Sequence, residues 1–127
     1  MQKRHNINLP DRPAGLPFSD AVLVGDTLYI SGRIGIEATT GFAPTNLDEE
    51  LKLLFADFSA VLAAGGMTWD DLVWLQIFSP DLTLWQRFNE EYVKYFKKEL
   101  PARAFIASAP LLLNGRFEMM GIAVKSS

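Results

Sequence analysis

Only two stretches of this sequence have the spacing of an amphipathic helix, and this scarcity of helices restricts the possible folds more than any other feature. In the first stretch Asn46 is a typical N-cap, and Glu49 follows three residues later, as in a capping box. Gly65-Gly66 predicts the end of this helix. Between these signals, apolar residues recur at spacings of three and four, which is the period of one helix face. These residues are Leu47, Leu51, Leu54, Phe58 and Leu62.

The second helical stretch begins with Thr83-Leu84-Trp85-Gln86, which has the pattern of another capping box. We expect this helix to fade around Lys98, because Pro101 cannot continue a helix and restricts the residue before it. The apolar stripe predicted for it consists of Leu84, Phe88, Tyr92 and Tyr95.

Short runs of β-forming residues on both sides of these helices predict the strands. Gly25-Asp26 favours a type II′ hairpin turn, and Asn114-Gly115 predicts the turn before the last strand. The chain before residue 21 is rich in proline and is predicted to be irregular. The third strand is apolar at nearly every position except Gln76, so we expect it to be buried on both faces. The predicted strands are residues 21–24, 27–31, 72–78, 102–108 and 116–124.

The predicted order ββ-α-β-α-ββ indicates a single α+β domain that spans all 127 residues. Two helices can cover only one face of a mixed sheet of this size. The other face would leave an apolar patch larger than soluble monomers normally expose. We therefore expect the chain to oligomerise through its open sheet face.

Composition and charge exclude several classes of function. The net charge is −3, and the basic groupings are only Lys3-Arg4 and Lys94-Lys97-Lys98, which disfavours a nucleic-acid binder. The chain has no cysteine and one histidine, His5, so neither a zinc site nor a Ser-His-Asp triad is expected, and we predict no metal. No apolar run is long enough to span a membrane and no signal peptide is recognisable, so we expect a cytoplasmic protein.

Arg103 is the first candidate for a functional residue. It lies among small and apolar residues on a predicted strand, in Pro101-Ala102-Arg103-Ala104-Phe105. A guanidinium is costly in such surroundings unless it is paired, and its planar fork fits a carboxylate bidentately. The partner is either a carboxylate of the same protein or that of a small ligand.

Glu118 is the second candidate, because it is an acid in the otherwise apolar strand 116–124. Exposure on a sheet edge, or an ion pair with Arg103, would explain it structurally. As a functional group it would position a water or move a proton, since partial burial raises a carboxyl pKa towards neutrality. Together, an arginine that anchors a substrate and a glutamate that handles protons would form a hydrolytic site.

Several segments together resemble the reactive-intermediate deaminase (Rid, or YjgF) family, also labelled the endoribonuclease L-PSP family. The likeness covers nearly the whole chain from Pro17 onwards. Its most specific parts are the Pro-Ala-Arg element and the downstream Glu118. The segments that carry it are residues 17–22, 25–32, 61–66, 88–92, 95–96, 101–103 and 118–124.

The resemblance implies a chorismate-mutase-like fold, in which a mixed sheet has two helices on one face and three chains assemble around a central β-barrel with sites between subunits. It also implies cofactor-free hydrolysis of reactive enamines and imines to 2-keto acids and ammonia. Arg103 would then hold the substrate carboxylate and Glu118 would position the water. The implied lining of the cleft is Phe18, Ser31, Gly32, Arg33, Asn89 and Phe105.

Departures from the family pattern leave other functions open. Phe18 stands where a tyrosine is usual, Arg33 where a glutamine is common, Phe105 where a cysteine is common, and Met120 where a second acid is frequent. If Arg33 reaches the cleft, it would bind a second acidic group of the substrate. One alternative is a site that binds a small carboxylate for sensing without catalysis. Another, disfavoured by the acidic charge, is the ribonuclease or translation-inhibitor activity described for some members.

Overall fold

The computed structural model describes residues 3–126 and contains six strands in one sheet and two α-helices. The strand order is β1-β2-β3-β6-β4-β5, and every neighbouring pair is antiparallel except the parallel pair β4 and β5. No helix in this part of the chain is long and apolar enough to cross a bilayer. The elements are β1 (Arg4–Ile7), β2 (Ala21–Val24), β3 (Thr27–Arg33), α1 (Leu47–Ala64), β4 (Leu72–Ser79), α2 (Trp85–Tyr92), β5 (Ala102–Ala107) and β6 (Glu118–Val124).

The structure confirms the predicted hairpin between β2 and β3. Gly25 has a φ of 59°, and Asp26, the other central residue, is not among the residues with positive φ. A type II′ turn requires positive φ only at its first central position, which glycine adopts without steric cost. The turn therefore matches the prediction in type as well as in place.

Helix α1 begins and ends where the sequence predicts. The Asn46 side chain accepts a hydrogen bond from the Glu49 amide at 3.0 Å, and the helix ends at Ala64, just before Gly65-Gly66. The predicted apolar face packs into the core: Leu51, Leu54, Phe58 and Leu62 are buried and Leu47 is half-buried. Phe55, which lies outside the predicted stripe, is also buried.

Helix α2 is shorter than predicted, and its capping residue is different. Asp81, not Thr83, caps the preceding 3₁₀ turn, because the Asp81 carboxylate accepts hydrogen bonds from the Thr83 amide and hydroxyl. The regular helix ends at Tyr92 and passes into another 3₁₀ turn. The Asp70 carboxylate then accepts the amides of Lys97 and Lys98, so these groups bond outside the helix.

The prediction that the N-terminal segment is irregular was wrong for residues 4–7, which form the edge strand β1 against β2. Its sequence, Arg-His-Asn-Ile, has too few apolar residues to show strand alternation, and its first three residues are exposed. Backbone pairing with β2 holds it in place, and His5 lies within this strand.

Two predictions for the central strands also need correction. Strand β4 is buried on one face only, because Trp74, Gln76 and Phe78 are half-buried on the face away from the helices. Strand β6 begins at Glu118 rather than residue 116, because the Arg116 amide donates to the Glu50 carboxylate at 2.6 Å and not to a neighbouring strand.

Both helices cover the same face of the sheet and close one apolar core. An aromatic group at its centre joins the two helices: the ring centroids of Phe55 and Phe88 are 5.4 Å apart, and those of Phe88 and Phe117 are 5.0 Å apart. The opposite face carries a shallow depression of about 320 Å³. The residues that line it are Val22, Tyr29, Ile30, Ser31, Trp74, Gln76, Met120, Gly121 and Ile122.

Candidate functional site

Arg103 lies on the edge strand β5, on the face covered by α2. Its guanidinium carbon is 4.6 Å from the ring centroid of Tyr92 and 5.9 Å from those of Phe88 and Phe105. These contacts are cation–π interactions, and they fix the plane of the guanidinium. None of the ion pairs between described residues involves Arg103. An ion pair within the described residues of one chain therefore does not explain Arg103.

Two further polar groups lie on α2, the helix whose Phe88 and Tyr92 contact Arg103. Burial raises the pKa of the Tyr92 hydroxyl, with Arg103 offsetting part of this rise, so the tyrosine stays neutral at physiological pH. The side-chain oxygen of Asn89, one turn earlier, is buried and has no hydrogen-bond partner within residues 3–126. Buried acceptors are nearly always paired, so this oxygen is a candidate ligand contact.

Glu118 opens strand β6, which lies between β3 and β4 and is therefore not at a sheet edge. Gly32 on β3 lies directly against it: a Cβ atom at position 32 would be 2.7 Å from Glu118 Oε1. A side chain at position 32 would therefore require the Glu118 carboxylate to move. Burial raises the pKa of Glu118 above its ordinary value.

A β-bulge places Ser31 and Gly32 beside the loop that carries Phe18. Ser31 and Gly32 together stand opposite Met120, because the register shifts between Ile30 and Arg33. The Ser31 hydroxyl donates to the Ser19 carbonyl at 2.6 Å. The Phe18 side chain is 47% exposed, and its carbonyl accepts a hydrogen bond from Arg12.

Arg33 is engaged by the chain's own acids. Asp57 on α1 binds it bidentately, with Nε–Oδ2 and Nη2–Oδ1 distances of 2.6 and 2.9 Å, and Asp20 binds Nη1 at 2.6 Å. Burial alone would raise the pKa of Asp20, but hydrogen bonds from the Leu9 amide and from Arg33 outweigh it, and the pKa is lowered. Asp20 is therefore ionised beside Arg33, and this network accounts for Arg33 without a second acidic group from a substrate.

The candidate residues fall into two groups on opposite faces of the sheet. Paired residues in a sheet share a face, and successive residues alternate between faces. Arg103 is paired with Leu75 and Glu118 with Phe78, three positions further along β4. Arg103 thus shares the helix-covered face with Asn89 and Phe105, while Glu118 shares the open face with Gly32. One protomer does not bring its own Arg103 and Glu118 together, which also excludes an ion pair between them.

Sequence reasoning missed four residues that shape these two groups: Arg12, Asp20, Asp57 and Tyr92. Helical spacing indicates the position of Tyr92, since it follows Phe88 by four positions and must lie on the same helix face. Asp20 and Asp57 bind Arg33 from 13 and 24 residues away, and Arg12 joins them through Asp20, so no local pattern marks these three residues. No group of three or more histidine or acidic residues in the described part of the chain is arranged to hold a metal ion.

The sequence profile described as "Endoribonuclease L-PSP" matches residues 10–125, which is most of the chain. The chain belongs to this family. Membership confirms the resemblance that the Pro-Ala-Arg element and Glu118 indicated.

Relatives of this L-PSP family protein span nearly its whole length. A RutC family protein of Saccharolobus solfataricus is 37% identical over 116 residues, which is 91% of each chain. The 2-iminobutanoate/2-iminopropanoate deaminase of Capra hircus is 34% identical over 124 residues, covering 96% of this chain and 90% of the relative. The human protein of the same name is 34% identical over 110 residues, covering 86% and 80% of the two chains.

Solved structures of family members have the same fold. RidA from an Antarctic Psychrobacter species superposes with a TM-score of 0.86 at 29% identity, covering 95% of this chain and 99% of that one. E. coli TdcF, solved with bound serine, gives a TM-score of 0.86 at 25% identity over 96% and 99% of the two chains. The mixed six-stranded sheet with two helices is therefore the fold of the family.

Proposed function

We propose that this L-PSP family protein hydrolyses 2-imino acids and their enamine tautomers to 2-keto acids and ammonia. The observation that carries the proposal is the guanidinium of Arg103, which is held by three aromatic rings and is without an acidic partner among the described residues. Such a group is suited to a carboxylate that arrives with a ligand. The deaminase name of relatives at 34% identity supports the reaction, and the serine bound to TdcF supports a small amino-acid-like ligand.

In this proposal Arg103 binds the carboxylate of the substrate and the Asn89 side-chain oxygen accepts an N–H from its nitrogen. The carboxylate of Glu118 takes a proton from water while the water oxygen bonds to the imine carbon. That proton passes to the nitrogen. The C–N bond then breaks, and the remaining hydroxyl loses its proton to the departing ammonia and becomes the keto group. No cofactor is needed for these steps.

The proposal requires more than one chain for each site. Arg103 and Glu118 project from opposite faces of the sheet, so a small substrate contacts both only if they come from different protomers. The open face, with exposed Tyr29 and half-buried Trp74 and Ile122, is suited to pack against another chain. A homotrimer with the three sheets around a central barrel satisfies both requirements and provides three equivalent sites.

A second candidate function is binding of a small carboxylate without catalysis. The side chain of Phe18 favours it, because its half-exposed ring has no hydroxyl with which to orient water or substrate. In this alternative Arg103 keeps its role and Glu118 serves only to select the ligand. The acidic net charge of −3 gives no comparable support to RNA cleavage.

The test generates 2-imino acids in situ with an amino-acid oxidase and traps the surviving imine with semicarbazide. We expect the wild-type protein to accelerate loss of the imine. The control variant Arg87→Gln, which alters an exposed ion pair elsewhere, should accelerate it equally. No acceleration across small, acidic and aromatic imino acids would leave carboxylate binding as the function. Retention of a bound carboxylate, lost in Arg103→Ala, would then identify the binding protein.

The pH dependence of hydrolysis is expected to reflect the burial of Glu118. Its active form is the carboxylate, so kcat/KM falls as pH drops through its pKa. Because burial raises that pKa, the acid limb of the profile is expected at a pH above the ordinary glutamate value of 4.5. The limb should be absent from the residual activity of Glu118→Gln. A limb that persists in this variant would assign the titration to another group.

A further inference from the structure

An ion cluster formed by Arg12, Asp20, Arg33 and Asp57 ties helix α1 to the N-terminal segment. Arg33 stands at its centre, with Asp57 on one side and Asp20 on the other. Arg12 binds the same oxygen of Asp20 at 3.0 Å. Asp20 is fully buried and also accepts the Leu9 amide at 2.8 Å. The cluster thus joins three separate parts of the chain through charged hydrogen bonds, which are stronger than neutral ones.

The ion cluster continues directly into the loop before β2. Arg12 donates to the Phe18 carbonyl, and its guanidinium lies 5.6 Å from the centroid of the Phe18 ring. The Asp20 carbonyl accepts the Ser31 amide at 3.0 Å, and the Ser31 hydroxyl bonds to the Ser19 carbonyl. Hydrogen bonds from Ser31 to Ser19 and to Asp20 therefore join the Ser31-Gly32 bulge to the loop that carries Phe18.

The ion cluster also lies next to Gly32, the residue that the Glu118 side chain contacts. Arg33 follows Gly32 in the chain, and a Cβ atom at Gly32 would overlap the Glu118 carboxylate. Arg33 itself pairs with Met119, the neighbour of Glu118 on β6. Arg33 is thus linked through one peptide bond to the residue against which the Glu118 carboxylate packs.

We propose that Arg33 is a positioning residue, which the carboxylates of Asp57 and Asp20 clamp so that the Ser31-Gly32 bulge and the Phe18 loop stay in register with Glu118. This inference rests on the proposed hydrolysis and identifies the contacts that keep its site in the required geometry. Arg33 does not touch the substrate. Its fork contacts both acids at once, which the single ammonium of a lysine does not reproduce.

The expected effect is on the rate of the chemical step rather than on substrate binding. Displacement of a reacting group by about 1 Å costs on the order of a hundredfold in rate. Asp57→Asn keeps the shape of the side chain and removes one carboxylate from the clamp, so we expect kcat to fall about tenfold. KM should change less than about threefold, because Arg103, which binds the carboxylate, lies on a different strand.

The experiment compares wild type, Asp57→Asn and Arg33→Gln in two assays. The first is imine hydrolysis, with kcat and KM measured separately. The second is native-state hydrogen exchange of the Ser31 amide, which requires no substrate. Arg87→Gln is the matched control, because it breaks an arginine–aspartate pair between the exposed surfaces of α1 and α2. Arg33→Gln removes a partner from buried Asp20 and should also destabilise the fold, so Asp57→Asn is the deciding variant.

A lower kcat with preserved KM, together with exchange of the Ser31 amide about tenfold faster than in wild type, would support the clamp. Unchanged kcat and exchange in folded Asp57→Asn would overturn it, and so would a raised KM with unchanged kcat, which would place Arg33 in substrate binding. If wild type hydrolyses no imine, the proposed function fails, and exchange at Ser31 decides the positioning role alone.

Discussion

Replacing Arg103 with alanine is expected to lower kcat/KM for 2-imino acids by a factor of about a hundred to a thousand. Removing one member of a buried, hydrogen-bonded charge pair costs roughly 3 to 4 kcal/mol, which corresponds to this factor. The loss includes the cost of leaving the substrate carboxylate unpaired beside the rings of Phe88, Tyr92 and Phe105. Steady-state kinetics with in situ imine generation measures it.

Arg103→Lys separates the charge of this residue from its shape. Lysine keeps the positive charge but offers no planar fork and stacks less well on aromatic faces, so we expect an intermediate kcat/KM. Arg87→Gln should stay within about twofold of wild type, since exposed ion pairs contribute little. Wild-type activity in Arg103→Ala would show that Arg103 does not bind the substrate carboxylate.

The second large effect concerns stability rather than activity. Glu50, in the first turn of α1, is fully buried and accepts two hydrogen bonds of 2.6 Å from Arg116, one from the guanidinium and one from the backbone amide. The same guanidinium donates to the carbonyls of Pro44 and Thr45. This cluster attaches the chain before β6 to the start of α1.

Glu50→Ala is expected to lower the free energy of unfolding by about 3 kcal/mol, the lower end of the range for breaking a buried ion pair. The lower end applies because the Arg116 side chain is 31% exposed and therefore stays partly hydrated. Urea unfolding at one fixed protein concentration measures the change, since association with other chains adds to apparent stability.

Asp48→Ala is the matched control for Glu50→Ala. Asp48 lies in the same turn of α1 and pairs with Arg87 at 2.8 Å, but its side chain is largely exposed. We expect it to change the free energy of unfolding by less than about 1 kcal/mol. Equal effects of the two substitutions would show that burial does not set the strength of the Glu50–Arg116 pair.

The parts of the fold that the sequence predicted are those specified by local pattern. Helix α1 has a cap, an apolar stripe and a glycine stop, and all three lie within the segment itself. The path of the chain after α2 involves the distant carboxylate of Asp70, and the start of β6 involves Glu50. Both partners are distant in sequence, so propensity and spacing contain no sign of them.

The sequence singles out several candidate residues but does not show how they are arranged. Arg103 and Glu118 each stand out as charged residues in apolar strands. Their placement on opposite faces follows from the register of both strands with β4, which is a tertiary property. The same is true of Arg33, whose partners Asp57 and Asp20 are 24 and 13 residues away in the chain.

The measurement that tests the central claim most directly is complementation between two inactive variants. Arg103→Ala and Glu118→Ala are unfolded together, refolded as a mixture and assayed for imine hydrolysis, with each variant refolded alone as control. If a site takes Arg103 from one chain and Glu118 from another, random mixing restores about a quarter of wild-type activity. An inactive mixture, with wild-type protein recovering full activity after the same treatment, would contradict the shared site.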